Sequence, residues 1–343
     1  MEIQEMIKMY DNENQFKVLQ ESYYQVESAW QSQIDVSSID TSKIKNIVLS
    51  GLGGSAIGGD LLQNFFRTEL KYPYVVNRNY ELPPYADEST LVIASSYSGN
   101  TEETLAAANE AIQRKCQVAC ITTGGKLEEF ALKNKFPLGR LMKGYQPRFA
   151  LWVNFFTLLK LVQSLKLIPE QNEVVNSIIG LLKRKGEVYS QTKNDALDLA
   201  QKFIGYIPLI YAVSEYTSAI GARYKGQFNE NSKLHSFYGL LPELDHNEIL
   251  GWDTFDPKQV NLILINIMDE DYHPQVKKRY EITSEIIRKK GCEIINISSK
   301  EKTWKERLVD IIYFGDWISY YLAVIRGINP TSIDNINYLK ERL

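Results

Sequence analysis

From Ile44 onward, short apolar runs alternate with segments whose apolar residues recur at helical spacing. The runs are 47–50, 74–76, 91–95 and 118–122, and helix-patterned segments follow the first, third and fourth. Strands joined through helices pair in parallel, and runs with little polar interruption fit strands covered on both faces. A second alternation follows, with strands at 209–213, 262–267 and 293–297 and helices at about 217–228, 280–290 and 304–326. The expected fold is α/β: two subdomains, each a doubly wound parallel sheet flanked by helices.

A length of 343 residues suits two domains better than one. Residues 1–40, polar with scattered aromatics, read as an N-terminal helical segment. The first subdomain is expected over 41–168 and the second over 169–343, with the charged stretch 183–187 as a surface segment between halves. The most apolar stretch, 151–168, contains Asn154, Lys160, Gln163 and Lys166, so it reads as a buried helix rather than a membrane span. Met1 to Glu5 lack the basic and apolar regions of an export signal, which leads us to expect a cytoplasmic protein without a membrane partner. A net charge of −3 gives no general attraction for nucleic acid, so any anionic ligand must be held locally. Cys116, Cys120 and Cys292 are odd in number, and the first two flank or enter an apolar run; strand burial explains them better than a zinc site.

Two loops carry the clearest chemistry. "GLGGSAIGGD", residues 51–60, leaves a strand and enters a helix, and Gly51, Gly53 and Gly54 allow an anion close to the backbone. A dinucleotide would need an acidic residue about 20 positions on, at the end of the next strand. That strand ends in Val76-Asn77-Arg78, so a smaller phosphate fits better. Glycines that only pack strand against helix remain the alternative. "SSYSGNTEETL", residues 95–105, repeats the strand-to-helix form. Asn100 and Glu103 have capping-box spacing, which explains one polar side chain; the cluster of Ser95, Ser96, Ser98 and Thr101 fits a phosphate monoester.

Other candidates are single residues. Arg148 in "QPRFAL" is either a surface charge or a cation for a developing oxyanion. Glu230 is either a solvated helix-end carboxylate or a general base, and His246 either a loop histidine or a proton shuttle. The loop 214–216 lacks a glycine cradle, which points to one phosphate site per chain. His235, His246 and His273 make no metal-ligand pairing, so no metal is expected.

Taken in order, "GLGGSAIGGD", "SSYSGNTEETL", "QPRFAL", "FNENSK", "PELDHNEILGW" and "YLAVIRGINPTSIDNINYLK" resemble the bifunctional phosphoglucose/phosphomannose isomerase family, built from two sugar isomerase (SIS) domains. The resemblance covers about residues 45–343. It implies that Gly53, Gly54, Ser55, Ser96, Ser98 and Thr101 hold the substrate phosphate. It also implies that Arg148 stabilises an enediolate, Glu230 moves the proton between C1 and C2, and His246 opens the sugar ring from the neighbouring subunit of a homodimer. Thr331 and Lys340 match the family's threonine and catalytic lysine. The implied activity interconverts glucose 6-phosphate, and mannose 6-phosphate, with fructose 6-phosphate without a cofactor, in the exchange shared by glycolysis and gluconeogenesis. The rivals are a non-catalytic sugar-phosphate regulator, an SIS isomerase for another sugar phosphate, and a nicotinamide-dependent oxidoreductase.

Overall fold

A computed structural model describes residues 2–342 and divides them into two compact units. One is Ser22–Gly180; the other joins the described residues up to Glu21 with those from Leu181 on.

In Ser22–Gly180 five strands form one parallel sheet: β1 (Asn46–Ser50), β2 (Tyr74–Asn77), β3 (Thr90–Ser96), β4 (Gln117–Thr122) and β5 (Leu138–Arg140). Their order is β2-β1-β3-β4-β5. The chain leaves β1 for β2 on one side and returns to β3 on the other, so a topological switch point lies between β1 and β3. Open parallel sheets bind ligands at the carboxyl ends of strands at such a point. All seven residues of β3 are buried, as expected of a strand covered on both faces.

Four glycines of the first loop and helix have different uses. A Cβ on Gly58 would come within 2.7 Å of Asn154 Oδ1, and one on Gly59 within 2.9 Å of Leu49 Cδ2. These two let the helix Gly53–Phe65 lie close to β1 and to the buried helix Leu151–Ser164. Gly53 and Gly54 serve the loop itself, as described below.

The other unit holds β6 (Ile207–Val213), β7 (Phe237–Leu241), β8 (Leu262–Ile267) and β9 (Glu293–Ile297), again parallel, in the order β7-β6-β8-β9. Its hub is the helix Trp304–Ile325, against which the helices Ile3–Tyr10, Asp195–Lys202 and Ser218–Glu230 pack. Among the described residues this is the one helix long and apolar enough to cross a membrane, and 89% of its apolar window is buried inside the protein. It also buries charges that are paired: Arg307 donates through Nε and Nη2 to both oxygens of Asp269, at 2.7 and 3.0 Å. These are features of a core helix.

The stretch 183–187 lies inside the helix Asn172–Tyr189. Lys185 Nζ reaches Asp310 at 3.0 Å, and a Cβ on Gly186 would meet the Gln20 carbonyl oxygen at 2.5 Å. All three cysteines are free and buried, and burial pushes the Cys116 and Cys292 thiols up to about 11 and Cys120 up to about 12.

Candidate functional site

The switch point in Ser22–Gly180 gathers three loops. After β1 the helix Gly53–Phe65 begins, and after β3 the helix Glu102–Gln113 begins; neither has a side-chain cap on its first turn. Both positive helix ends therefore emerge from adjacent strands at one edge of the sheet, where their N–H groups can receive an anion. Gly53 takes φ +52° with open space around it, and Gly54 lies against a third loop, since a Cβ there would come within 2.9 Å of the Pro147 carbonyl oxygen. That third loop, the short turn Pro147–Phe149, carries Arg148.

Arg148 is only 5% exposed, which removes the surface-charge reading. Its guanidinium carbon lies 5.7 Å from the centre of the Phe149 ring. The turn is held by Gln25, whose Nε2 donates to the Phe149 carbonyl at 2.8 Å and whose Oε1 accepts from the Val153 N–H at 3.2 Å. Gln25 sits on the helix Tyr23–Gln31, in a segment whose polar, aromatic pattern gave no hint of a part in the site.

The serine loop is not built on a capping box. Thr101, rather than Asn100, precedes the helix, and its hydroxyl shares a 2.7 Å hydrogen bond with Ser96 Oγ instead of capping the first turn. Ser96 Oγ also accepts from the Gly99 N–H at 3.1 Å, and Ser98 Oγ accepts from the Asn100 N–H at 3.2 Å. Asn100 turns outward to accept from the Lys126 N–H at 3.2 Å. Ser96 and Ser55 are buried, Thr101 is half-buried and Ser98 is exposed. Asn154 donates to both Ser55 Oγ and Ser95 Oγ, at 3.3 and 3.2 Å, and so ties the glycine loop to the serine loop. A polar residue set among apolar neighbours at the start of an apolar helix was the signal that could have found it. Gly53, Gly54, Ser55, Ser96, Ser98, Thr101 and Arg148 thus come together around one switch point.

The remaining candidates belong to the other unit and are spread over it. Glu230 ends the helix Ser218–Glu230 that follows β6. The chain then turns at Lys233, which takes φ +49°, and the Leu234 N–H donates to the Phe228 carbonyl at 3.1 Å. His246 ends the turn Glu243–His246 that follows β7. Because β7 is parallel to β6, Glu230 lies before the amino end of β7 and His246 beyond its carboxyl end. Five residues of strand span about 16 Å, so one copy of this unit holds the two at opposite ends of its sheet.

The His246 turn is pinned on both sides. Asp245 accepts from Arg279 Nη1 at 3.0 Å and from Thr283 Oγ1 at 2.9 Å, while Tyr211 Oη donates to Glu248 Oε1 at 2.8 Å and accepts from Trp252 Nε1 at 3.0 Å. Burial raises the Tyr211 hydroxyl well above its usual range, with the Glu248 charge adding to it, so it remains a donor. His246 itself is exposed. Thr331 is buried, and its Oγ1 donates to Asn329 Oδ1 at 2.7 Å. Lys340 is exposed on the helix Asp334–Lys340, which has no buried residue. No group of three or more His, Cys, Asp or Glu among the described residues stands in a metal-holding arrangement.

Two family models match the chain. Residues 41–132 match the SIS domain, and residues 192–343 match the bacterial phospho-glucose isomerase C-terminal SIS domain. A bifunctional phosphoglucose/phosphomannose isomerase of Caldicellulosiruptor bescii is 38% identical over 93% of this chain and 96% of that protein. One of Aquifex aeolicus is 33% identical over 94% of this chain and 98% of its own length. Among solved structures, the C-terminal domain of glucosamine-fructose-6-phosphate aminotransferase from Francisella tularensis superimposes with a TM-score of 0.68 at 15% identity. That match covers 92% of this chain and 97% of that domain, and is a likeness of fold.

Proposed function

The chain belongs to the bifunctional phosphoglucose/phosphomannose isomerase family, and from that premise we propose how its residues divide the work. It is an aldose-ketose isomerase that interconverts glucose 6-phosphate, and mannose 6-phosphate, with fructose 6-phosphate. The observation that carries the assignment of roles is the pair of uncapped helix starts that emerge beside Arg148 from adjacent strands.

Gly53, Gly54, Ser55, Ser96, Ser98 and Thr101 hold the substrate phosphate, through backbone N–H groups and hydroxyls at the two helix starts. Anchoring this remote group places the sugar for reaction and supplies binding energy for the chemical step. His246 opens the ring by moving a proton between the ring oxygen and the C1 hydroxyl. Glu230 then takes the C2 proton of the open aldose, the C1–C2 double bond forms, and the C1 oxygen takes up the negative charge. Arg148 stabilises that enediolate. Moving the C2 hydroxyl proton onto the C1 oxygen, as C2 becomes a carbonyl and Glu230 returns its proton to C1, completes the ketose. Glucose and mannose phosphates differ only in the C2 configuration and share this enediolate; the short Thr331 leaves room for both positions of the hydroxyl. Lys340 is the counterpart of the family's lysine.

The test is direct. The purified protein, incubated with fructose 6-phosphate in the presence of EDTA, should yield glucose 6-phosphate and mannose 6-phosphate when the hexose phosphates are resolved. Absence of any aldose phosphate would overturn the reading.

The working form we propose is a homodimer in which His246 serves the partner's substrate. The opposite placement of Glu230 and His246 along β7 supports it, since one copy of the unit cannot bring both to one sugar. Phe237 and Tyr238 on the edge strand β7 and Leu250 beyond His246 are 55%, 42% and 68% exposed and offer an apolar surface for a second copy. Mixing inactive Glu230→Gln and His246→Ala chains under subunit exchange should restore up to about a quarter of wild-type turnover, by forming hybrid dimers with one intact set. A mixture as inactive as its components would exclude the shared arrangement. We assign the enzyme to the cytoplasm and to the hexose phosphate exchange that glycolysis and gluconeogenesis share.

A further inference from the structure

A buried polar seam in the unit of Glu230 has no part in the roles above. The helix Ser218–Glu230 meets the helix Trp304–Ile325 along Arg223, Gln227 and Asn231, spaced four apart and therefore on one stripe. Asp316 and Ser319 face them. All five are at most 4% exposed.

Arg223 donates from Nε and Nη2 to the two oxygens of Asp316, each at 3.0 Å, and Gln227 Nε2 donates to Asp316 Oδ1 at 3.0 Å. One turn further, Asn231 Nδ2 donates to Ser319 Oγ at 3.0 Å, and Ser232 Oγ donates to the Ser319 carbonyl at 2.7 Å. Arg326 Nη1 closes the ladder on the Ser232 carbonyl. Burial pushes the Asp316 carboxyl up, and Arg223 and Gln227 draw it back.

Stability alone does not call for this ladder. Apolar side chains of the same volume hold two helices together as well as a buried ion pair, or better. A bidentate ion pair followed one turn later by an amide on a hydroxyl does something apolar packing does not, because it has one good alignment. A slip of one residue, about 1.5 Å along the axis, breaks every bond of it together. The seam ends on Asn231 and Ser232, the two residues that follow Glu230.

We infer that Arg223, Gln227 and Asn231, locked on Asp316 and Ser319, are positioning residues that fix the register of the Glu230 carboxylate for proton transfer. The inference rests on Glu230 as the base. A misplacement of about 1 Å costs a reaction on the order of 10²-fold in rate, so the seam acts on turnover more than on substrate affinity.

The same pair of helices supplies a control. Tyr224 Oη donates to the Ile311 carbonyl at 2.7 Å across the same two helices, but on another stripe and farther along the chain from Glu230 than Gln227 is. Full-length Gln227→Met, Ser319→Ala and Tyr224→Phe should be compared for kcat and KM with fructose 6-phosphate and for thermal unfolding. Gln227→Met and Ser319→Ala should each lose about tenfold or more in kcat with KM within about twofold of wild type, whereas Tyr224→Phe loses comparable thermal stability with kcat within about twofold. Should Gln227→Met not fold, Ser319→Ala, which removes one hydroxyl, carries the comparison. Wild-type kcat in the seam variants beside an inactive Glu230→Gln overturns the positioning role and leaves the base intact. Loss of kcat in Tyr224→Phe to the same extent also overturns it. Wild-type turnover in Glu230→Gln overturns the base assignment, and this inference with it.

Discussion

Glu230→Gln is expected to lower kcat by roughly 10²- to 10⁴-fold, the usual contribution of a general base, with sugar-phosphate affinity within a few-fold of wild type. Glutamine keeps the length of the side chain and one accepting oxygen but cannot accept a proton. The substitution leaves the helix end as it is, because that end is held by backbone and neighbouring groups: Lys233 Nζ donates to the Glu230 carbonyl, and Ser236 Oγ donates to Asn229 Oδ1 at 3.1 Å. The phosphate loops lie in the other unit's sequence and are untouched. Turnover of fructose 6-phosphate, and incorporation of solvent deuterium at the exchanging carbon, should fall together, while calorimetric binding persists. Turnover near the wild-type rate would show that another group moves the proton.

Gly99→Ala is expected to cost about 2–5 kcal/mol of stability, from left-handed backbone strain and overpacking together, and to raise KM about tenfold or more in whatever folds. Gly99 takes φ +70°, and a Cβ there would lie 1.8 Å from the Gly124 carbonyl oxygen and 2.7 Å from Thr122 Oγ1. The clash is with backbone, so the loop after β4 must move or the serine loop must. Either motion pulls on Ser96 Oγ, which accepts from the Gly99 N–H, and on the Leu127 N–H, which donates to the Gly99 carbonyl at 2.9 Å. Gly53→Ala is the internal comparison, since its φ of +52° is also left-handed but nothing lies within 4 Å of its Cβ. That variant should lose only the backbone share, about 1–2 kcal/mol. Thermal unfolding of the pair separates conformation from space; equal losses would refute the steric account.

The two parallel sheets were legible because their central strands are long apolar runs. β1, β3, β4, β6 and β8 follow that rule, and these, with the edge strand β9, were each foreseen to within two residues at either end. The edge strands β5 and β7 were not foreseen. β5 has three residues, Leu138–Arg140, and β7 begins with the exposed Phe237 and Tyr238, so neither carries the run that marks a strand covered on both faces. The phosphate loops showed themselves through glycine and serine at strand-to-helix junctions, where residue type follows from backbone geometry. The groups that hold those loops did not, because Gln25 and Asn154 act from helices far away in sequence. Nothing in the local pattern of Gln25 separates an amide that clamps a turn from one that faces solvent. The buried ladder of Arg223, Gln227 and Asp316 was hidden for the same reason: spacing of four on a helix marks a shared stripe, and only the fold shows what the stripe faces. Thr101 displaced Asn100 from the helix start because its hydroxyl found a partner in Ser96, a tertiary contact that a capping pattern does not anticipate.

The unit that carries Glu230 is discontinuous in sequence, opening with the first helices and resuming at Leu181. Its opening segment is bound by late residues: Tyr313 Oη donates to the Leu19 carbonyl at 2.5 Å, Tyr320 Oη to Asp11 Oδ2 at 2.8 Å, and Phe16 stands edge-on to Trp317 at 5.3 Å. A ribosome working at about 5–20 residues per second makes Phe16 roughly 15–60 s before its aromatic partners. During that interval Ser22–Gly180, a contiguous segment, is completed and free to fold, while Phe16 ahead of it waits without its partner Trp317. Synthesis order thus makes residues such as Phe16, made ahead of Ser22–Gly180, among the last to find their places, and gives the nascent chain a window in which a chaperone has something to hold.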